Sequence, residues 1–285
     1  MSIYEDYNKA SRLYDNQRVA VGADVMAAML QFYSGKPLEV LKILDAGCGT
    51  GNYAKAFIEM GAKQITLLDA SSKMLDKARS KLKECKEKGM IAGIIEAKMP
   101  PMPFPDDTFD AVMFNVVLNH LDRNDNTFPN SVATLKETVR ILRPESLIII
   151  SAMPDTVLTR VTWFTQLNMD LTNRFVEAVV PTLEQCEQMF HDAGITCIQK
   201  LNILGSDVFK NYYNLDGPLD EEWRGTNAYW SFATEEEIGV VEKKVKDLKA
   251  RGEYEKWVKE HDHSGDTGIL TIFFCKKNLS KPRSN

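Results

Sequence analysis

The sequence predicts an α/β protein, a mostly parallel sheet with helices on both faces. Three observations carry that prediction. Short continuous apolar runs recur at 42–46, 65–69, 91–96, 110–115 and 146–151, the pattern of strands covered on both sides. Amphipathic stretches fill the gaps, including 51–60, 72–88 and 131–142, and strand–helix alternation of this kind builds parallel crossovers. The first run, KILDAGCGTGNY at 42–53, ends in a glycine-rich turn that opens a helix, which is the first unit of a Rossmann-like sheet.

The remaining elements follow in order. The opening MSIYEDYNKASRLYDNQR has no apolar centre of the kind a signal peptide needs. No run approaches the roughly 20 apolar residues of a membrane span. A reduced, cytoplasmic setting without membrane attachment is therefore expected. Residues 153–181 are too long for a plain strand-to-helix link. Residues 182–193 read as a helix stopped by Gly194, and 195–203 as a strand. Residues 204–267 form a second insertion, containing a charged helix at 235–260 that Thr234 opens with Glu237 as a capping box. A final strand at 268–275 closes the chain. Long connections in a compact domain are usually functional, so 153–181 and 204–267 are expected to cap a core centred on 40–151. The whole chain, 1–285, reads as one domain with a helical lid at 1–35.

Composition narrows the function classes. With 285 residues, 44% hydrophobic and 26% charged, the chain is long enough to bury a core without disulfides or metals. A net charge of −5 disfavours a general nucleic-acid partner. The five cysteines are widely spaced without a CxxC pair, and the four histidines lack metal-ligand spacing. His261 and His263 lie in a polar stretch, and no metal is expected.

The glycine turn selects among ligands. Its glycines permit positive φ and leave no Cβ between backbone and ligand. A dinucleotide loop needs a glycine at position 52, which is Asn. A phosphate loop needs a Lys-Ser/Thr pair after its glycines, and none is present. Asp45, just before the turn, repels a pyrophosphate and attracts a cation such as a methionyl ammonium. Asp69 ends the second strand, where a carboxylate takes both hydroxyls of a ribose.

With those residues in view, the sequence resembles the class I S-adenosylmethionine-dependent methyltransferases of the small-molecule type. ILDAGCGTGNY looks like their first motif and ITLLDASSKML like their second. MPFPDDTFDAVMFNVVLNHL resembles the segment through the fourth strand, and ETVRILRPESLIIIS the helix and fifth strand. The resemblance implies a seven-stranded sheet whose last strand is antiparallel. It implies S-adenosylmethionine contacts at Asp45, Gly47, Gly49, Asp69 and Asn115, with Ala70 and Met74 beside adenine or ribose. The sequence departs from the family where an acid after the third strand would bind the adenine amino group. Ala97 or Lys98 stands there, which leaves adenine to a backbone group near Met99 and to apolar packing. Glu96 is expected to point the opposite way. YDNQR at 14–18 resembles the N-terminal lid of several such enzymes, with Tyr14 over the methionine end and Arg18 near its carboxylate. A half-buried amphipathic helix is the alternative.

Methyl transfer from a sulfonium is an in-line displacement, so alignment and water exclusion dominate. A base is needed only for an acceptor that arrives protonated. His120 is the candidate base, against the alternative of a hydrogen-bonded histidine opening the next helix. FNVV after the fourth strand is not the Asn-Pro-Pro-aromatic loop that grips planar amino groups, so a small-molecule acceptor with an O, N or S nucleophile is expected. Met153 borders the same cleft. Trp163, Trp223, Tyr229 and Trp230 suit an apolar or cationic acceptor and Arg160 and Arg224 an acidic one, unless they serve only to pack the cap. A non-catalytic cofactor-binding regulator or partner protein is the competing reading. A short-chain dehydrogenase is disfavoured because no tyrosine is followed four residues later by lysine.

Overall fold

The computed structural model describes residues 19–122, 127–204, 214–225 and 227–278. The apolar runs become β1 (Ile43–Ala46), β2 (Ile65–Asp69), β3 (Ile91–Glu96), β4 (Phe109–Asn115), β5 (Leu142–Ala152), β6 (Ile195–Ile203) and β7 (Leu270–Lys277). They form one sheet in the order β3-β2-β1-β4-β5-β7-β6. The first five strands in that order pair in parallel, and β7 runs antiparallel between β5 and β6. Chain order reverses between β1 and β4, which opens a crevice at their carboxyl ends.

The helices are α1 (Ala23–Ser34), α2 (Asn52–Glu59), α3 (Ser72–Lys81), α4 (Lys83–Glu87), α5 (Pro129–Ile141), α6 (Met169–Val179) and α7 (Leu183–Asp192). They continue with α8 (Glu221–Arg224), α9 (Ala228–Ser231), α10 (Glu235–Ala250), α11 (Tyr254–His261) and α12 (Ser264–Thr267). No helix among the described residues is long and apolar enough to cross a membrane.

Alternation along the strands divides the core in two. Ile43, Leu67, Met113 and Ile149 face a first core with α1, α2 and α3. Leu44, Leu68, Val112 and Ile148 face a second with α5 and α7. Four sequence expectations change. The stretch 72–88 breaks at Leu82, whose buried side chain packs against Gly51. The charged stretch 235–260 breaks after Ala250, where Gly252 takes φ +69 and stops α10. The fifth strand extends back to Leu142 through an irregular register. Among the described residues of the expected 1–35 lid, α1 is a core helix instead, because Met26, Ala27 and Leu30 are buried under the sheet.

The two insertions fold onto each other. Leu158, Trp163, Phe164, Leu171 and Phe175 from the first pack with Trp223, Tyr229, Trp230, Val241 and Val245 from the second as a third core. Thr234 and Glu237 close the capping box that opens α10.

Candidate functional site

One face of the sheet supplies the site. Asp45, Asp69, Asn115 and Ser151 continue, at the carboxyl ends of β1, β2, β4 and β5, the rows that are Ile43, Leu67, Met113 and Ile149 further down. The apolar rows give way to polar residues where the strands leave the core. Asn115 lies in register with Ser151, whose hydroxyl reaches Asn115 Oδ1 at 3.4 Å.

The turn after β1 is stitched to the end of β2. The amides of Gly47 and Cys48 both donate to the Leu68 carbonyl, at 2.7 and 3.0 Å. Gly49 N–H donates to Asp69 Oδ2 at 2.8 Å, and Ser71 N–H to Asp69 Oδ1 at 2.8 Å. Gly47 has φ +74, and a Cβ there would lie 2.6 Å from Val117 Cγ2. Glycine is therefore required twice, for the left-handed backbone and for the approach of the segment after β4. Lys81, at the end of α3, donates to Thr50 Oγ1 at 2.9 Å and also to the Asn52 side chain, which ties the far side of the turn.

Asp45 is the unusual member. It is 1% exposed, and neither carboxylate oxygen completes a hydrogen bond. The buried Nδ2 of Asn115 is also without an acceptor. Burial pushes the Asp45 pKa from 3.8 up to about 7. The Asn115 side chain, near enough to lower it without completing a bond, opposes that rise, the Asp69 charge adds to it, and the Ala54 amide lowers it. Asp69 is also raised by burial, against the amides of Ser71, Gly49 and Ala70. A buried carboxylate lacking donors, beside an amide donor lacking an acceptor, is complementary to a ligand end bearing both a cation and a carboxylate.

Beyond Asn115 the chain turns sharply. Val116 adopts φ +55, a left-handed conformation that a β-branched residue rarely takes, and donates its N–H to the Ser151 carbonyl at 3.0 Å. Such strain aims Val117 at the bare Cα of Gly47.

The other sequence candidates are placed as follows. Tyr14 and Arg18 lie outside the described residues. Ala70 is exposed just past Asp69, while Met74 is buried and its N–H donates to the Ser71 hydroxyl that caps α3. Met99 is half-buried against the second core with Ala97 and Phe104. Glu96 stands in register with Asp69 and so shares its face, contrary to expectation, with its side chain exposed. His120 is half-buried at the end of the short turn Leu118–His120 after β4. Met153 packs partly against the first core, the cap core and a small cluster of Val157, Val161 and Ile269, where sheet and cap meet.

The cap aromatics are interior. Trp163, Trp223, Tyr229 and Trp230 are 1%, 7%, 1% and 4% exposed, with Phe164 meeting Trp223 edge-on at 5.3 Å and Tyr229 meeting Trp230 at 4.9 Å. Ring-on-ring packing accounts for that burial and leaves these rings shaping the cap rather than forming an exposed wall. Arg224 donates to the Pro218 carbonyl at 2.7 Å and pairs with Glu242 at 3.4 Å. Arg160 is exposed. Trp257, a further ring of the second insertion, stacks on His261 at 4.0 Å.

Residues 44–150 match the family model described as a methyltransferase domain. Residues 44–150 thus carry a methyltransferase domain. Over 182 residues the chain is 29% identical to malonyl-acyl-carrier-protein O-methyltransferase of Erwinia pyrifoliae, covering 63% of this chain and 62% of that protein. Over 189 residues it is 25% identical to the ubiquinone/menaquinone biosynthesis C-methyltransferase UbiE of Pectobacterium atrosepticum, covering 59% and 71%. The chain thus spans under two thirds of the O-methyltransferase relative's length. Its fold resembles a putative methyltransferase from an antibiotic biosynthesis pathway of Anabaena variabilis, with a TM-score of 0.68 at 15% identity over 92% of this chain and 99% of that one. It also resembles the 4+2 cyclase SpnF, at a TM-score of 0.51 and 16% identity over 90% and 82%. A fold shared with a cyclase does not fix the reaction, which rests on the site.

Sequence reading missed Ser151, Val116, Val117 and Lys81. Ser151 had a signal, since it ends an apolar run at the same parity as Met153. Valine in a left-handed turn and a lysine reaching across from another helix leave no local trace.

Proposed function

We propose that this protein transfers a methyl group from S-adenosylmethionine to a small-molecule acceptor by in-line displacement. The observation that carries the reading is Asp45, whose two buried oxygens complete no hydrogen bond, beside the buried Asn115 Nδ2, which also lacks a partner. S-adenosylmethionine, when bound, supplies an electrophilic methyl on a sulfonium whose amino-acid end offers the ammonium and carboxylate those two groups lack. Asp45 holds the ammonium and Asn115 orients that end. Gly47 and Gly49 let the backbone approach, and Asp69, with lone pairs left beside its two amide bonds, accepts from the ribose hydroxyls. Ala70 and Met74 support the ribose side, and Ala97 and Met99 supply an apolar edge for adenine.

The acceptor is placed in this reading where Met153 joins sheet and cap, with Val157, Val161 and Ile269 excluding water from the displacement. His120 takes the proton where the nucleophile carries one. With an O-methyltransferase and a C-methyltransferase among the relatives, the attacking atom of the acceptor is an oxygen, nitrogen or sulfur or an activated carbon.

Calorimetric titration with S-adenosylmethionine tests the cofactor half of the proposal. Incubating a metabolite extract with methyl-labelled cofactor, then identifying the labelled product, tests the acceptor half. Saturable binding and a labelled small molecule are expected. Absence of binding overturns the whole reading, whereas binding without methyl loss across acceptor classes favours a regulatory protein.

A further inference from the structure

We propose that Cys197 and Cys275 form a modification site, a thiol pair that closes to a cross-strand disulfide on meeting a small disulfide oxidant. The inference is independent of the reaction proposed above, because the pair sits at the other end of the sheet. Cys197 lies near the start of β6 and Cys275 near the end of the antiparallel β7, whereas Asp45 and Asn115 lie at carboxyl ends of parallel strands.

Geometry favours closure. The two residues are direct partners in the β6–β7 register, next to an irregularity between Cys197 and Gln199. Directly opposed residues of antiparallel strands have Cα atoms about 4.5–5.5 Å apart, inside the roughly 4.4–6.8 Å that a disulfide spans. Partners of this kind project to the same face, and both cysteines pack with the second core beneath α7.

The two sulfurs divide the chemistry. Cys275 is fully buried, while Cys197 is half-buried on the outermost strand of the sheet and open to attack from solvent. The Cys275 thiol beside it lowers Cys197 to about 7 against the opposing effect of burial, with the Gln199 backbone and Lys200 adding to the fall and Glu187 opposing it, and the Cys197 thiol donates to the Gln199 carbonyl at 3.3 Å. The same contact, with burial, holds Cys275 well above the ordinary thiol range. Lys200 and Glu187 face each other at 3.7 Å beside the pair. Cys186, on α7, is buried and its pKa raised, so it is a poor competitor for the first attack.

The Cys197 thiolate attacks one sulfur of the oxidant, forming a mixed disulfide and releasing one thiolate. Cys275 then gives up its proton to water, its sulfur attacks the Cys197 sulfur, and the second thiolate leaves. Two protein thiols become one disulfide, and two electrons and two protons reduce the oxidant to two thiols. The covalent loop so closed contains the second insertion, 204–267, and ties both of its ends to the sheet.

The test treats the folded full chain with oxidised glutathione, alkylates the remaining thiols and maps peptides by mass. Free thiols are expected to fall from five to three, with 197 and 275 in one crosslinked species. Cys275→Ser is expected to retain one glutathionyl group on Cys197, and Cys197→Ser to keep its remaining thiols free. Cys186→Ser should still form the bridge, a necessary control because 186 and 197 share a tryptic peptide. A bridge from Cys186 to Cys275, a lasting glutathione adduct on the native protein, or no loss of thiols overturns the proposal.

Discussion

Replacing Asp45 with asparagine is expected to make the protein more stable and unable to hold its cofactor. The side chain is 1% exposed with both oxygens unpartnered, so ionising it in the ligand-free protein is costly. Its pKa stands at about 7 against 3.8 for an ordinary aspartate, which at 1.36 kcal/mol per pH unit amounts to about 4 kcal/mol once the group is ionised in both states. The sign follows from the raised folded value. Below pH 3.8 both states are protonated and there is no penalty; between 3.8 and about 7 stability is lost as pH rises; above 7 the loss is complete. Asparagine carries no charge, so its advantage over aspartate should grow by about 2–3 kcal/mol from pH 5 to pH 8, roughly 5 °C in Tm for a chain of this size. Urea denaturation of both proteins at the two pH values, without ligand, measures it. A difference that does not change with pH would refute the argument that an uncompensated buried carboxylate is present. At pH 8, S-adenosylmethionine should raise the Tm of the native protein and leave that of Asp45→Asn unmoved.

Linkage gives a second prediction. Binding a cation at Asp45 below pH 7 requires loss of its proton, so the Kd for S-adenosylmethionine should rise toward tenfold per pH unit between pH 7 and pH 5, as calorimetry would measure. Asp69→Ala should weaken binding by about 1–3 kcal/mol, the range for stranded hydrogen-bonding groups; unchanged affinity would contradict its assignment to the ribose. Gly47→Ala should abolish binding and lower Tm because its Cβ meets Val117 Cγ2 at 2.6 Å, and Gly47→Ala with Val117→Ala should recover part of the Tm but not the cost of φ +74. Lys81→Met should raise the cofactor Kd by loosening Thr50 and Asn52 with little change in Tm, a split that ligand titration and thermal melting together would read.

Much of the fold was legible in the residues themselves. Strands β2 and β4 fall where apolar runs bounded by turn residues place them, because a strand buried on both faces has no other composition open to it. Gly47, Gly49, Asp45 and Asp69 were equally legible, since a bare-backbone turn between two acids is a local pattern. Thr234 and Glu237 announced their helix start for the same reason, as partners three residues apart. The cap was not. Sequence left its aromatics open between a binding surface and packing of the cap, because a ring carries no mark of whether its neighbour is a ligand or another ring.

Sequence by itself determined the strands, the glycine turn and the sign of charge at its two ends, all features set within a dozen consecutive residues by backbone sterics and side-chain alternation. Tertiary structure alone decided that Asp45 and Asn115 stand unsatisfied side by side, that Val117 meets Gly47, that Lys81 reaches Thr50, and that the two insertions close over a core of their own. Each of those depends on distance between segments far apart in the chain, and burial and hydrogen-bond satisfaction exist only once such segments meet.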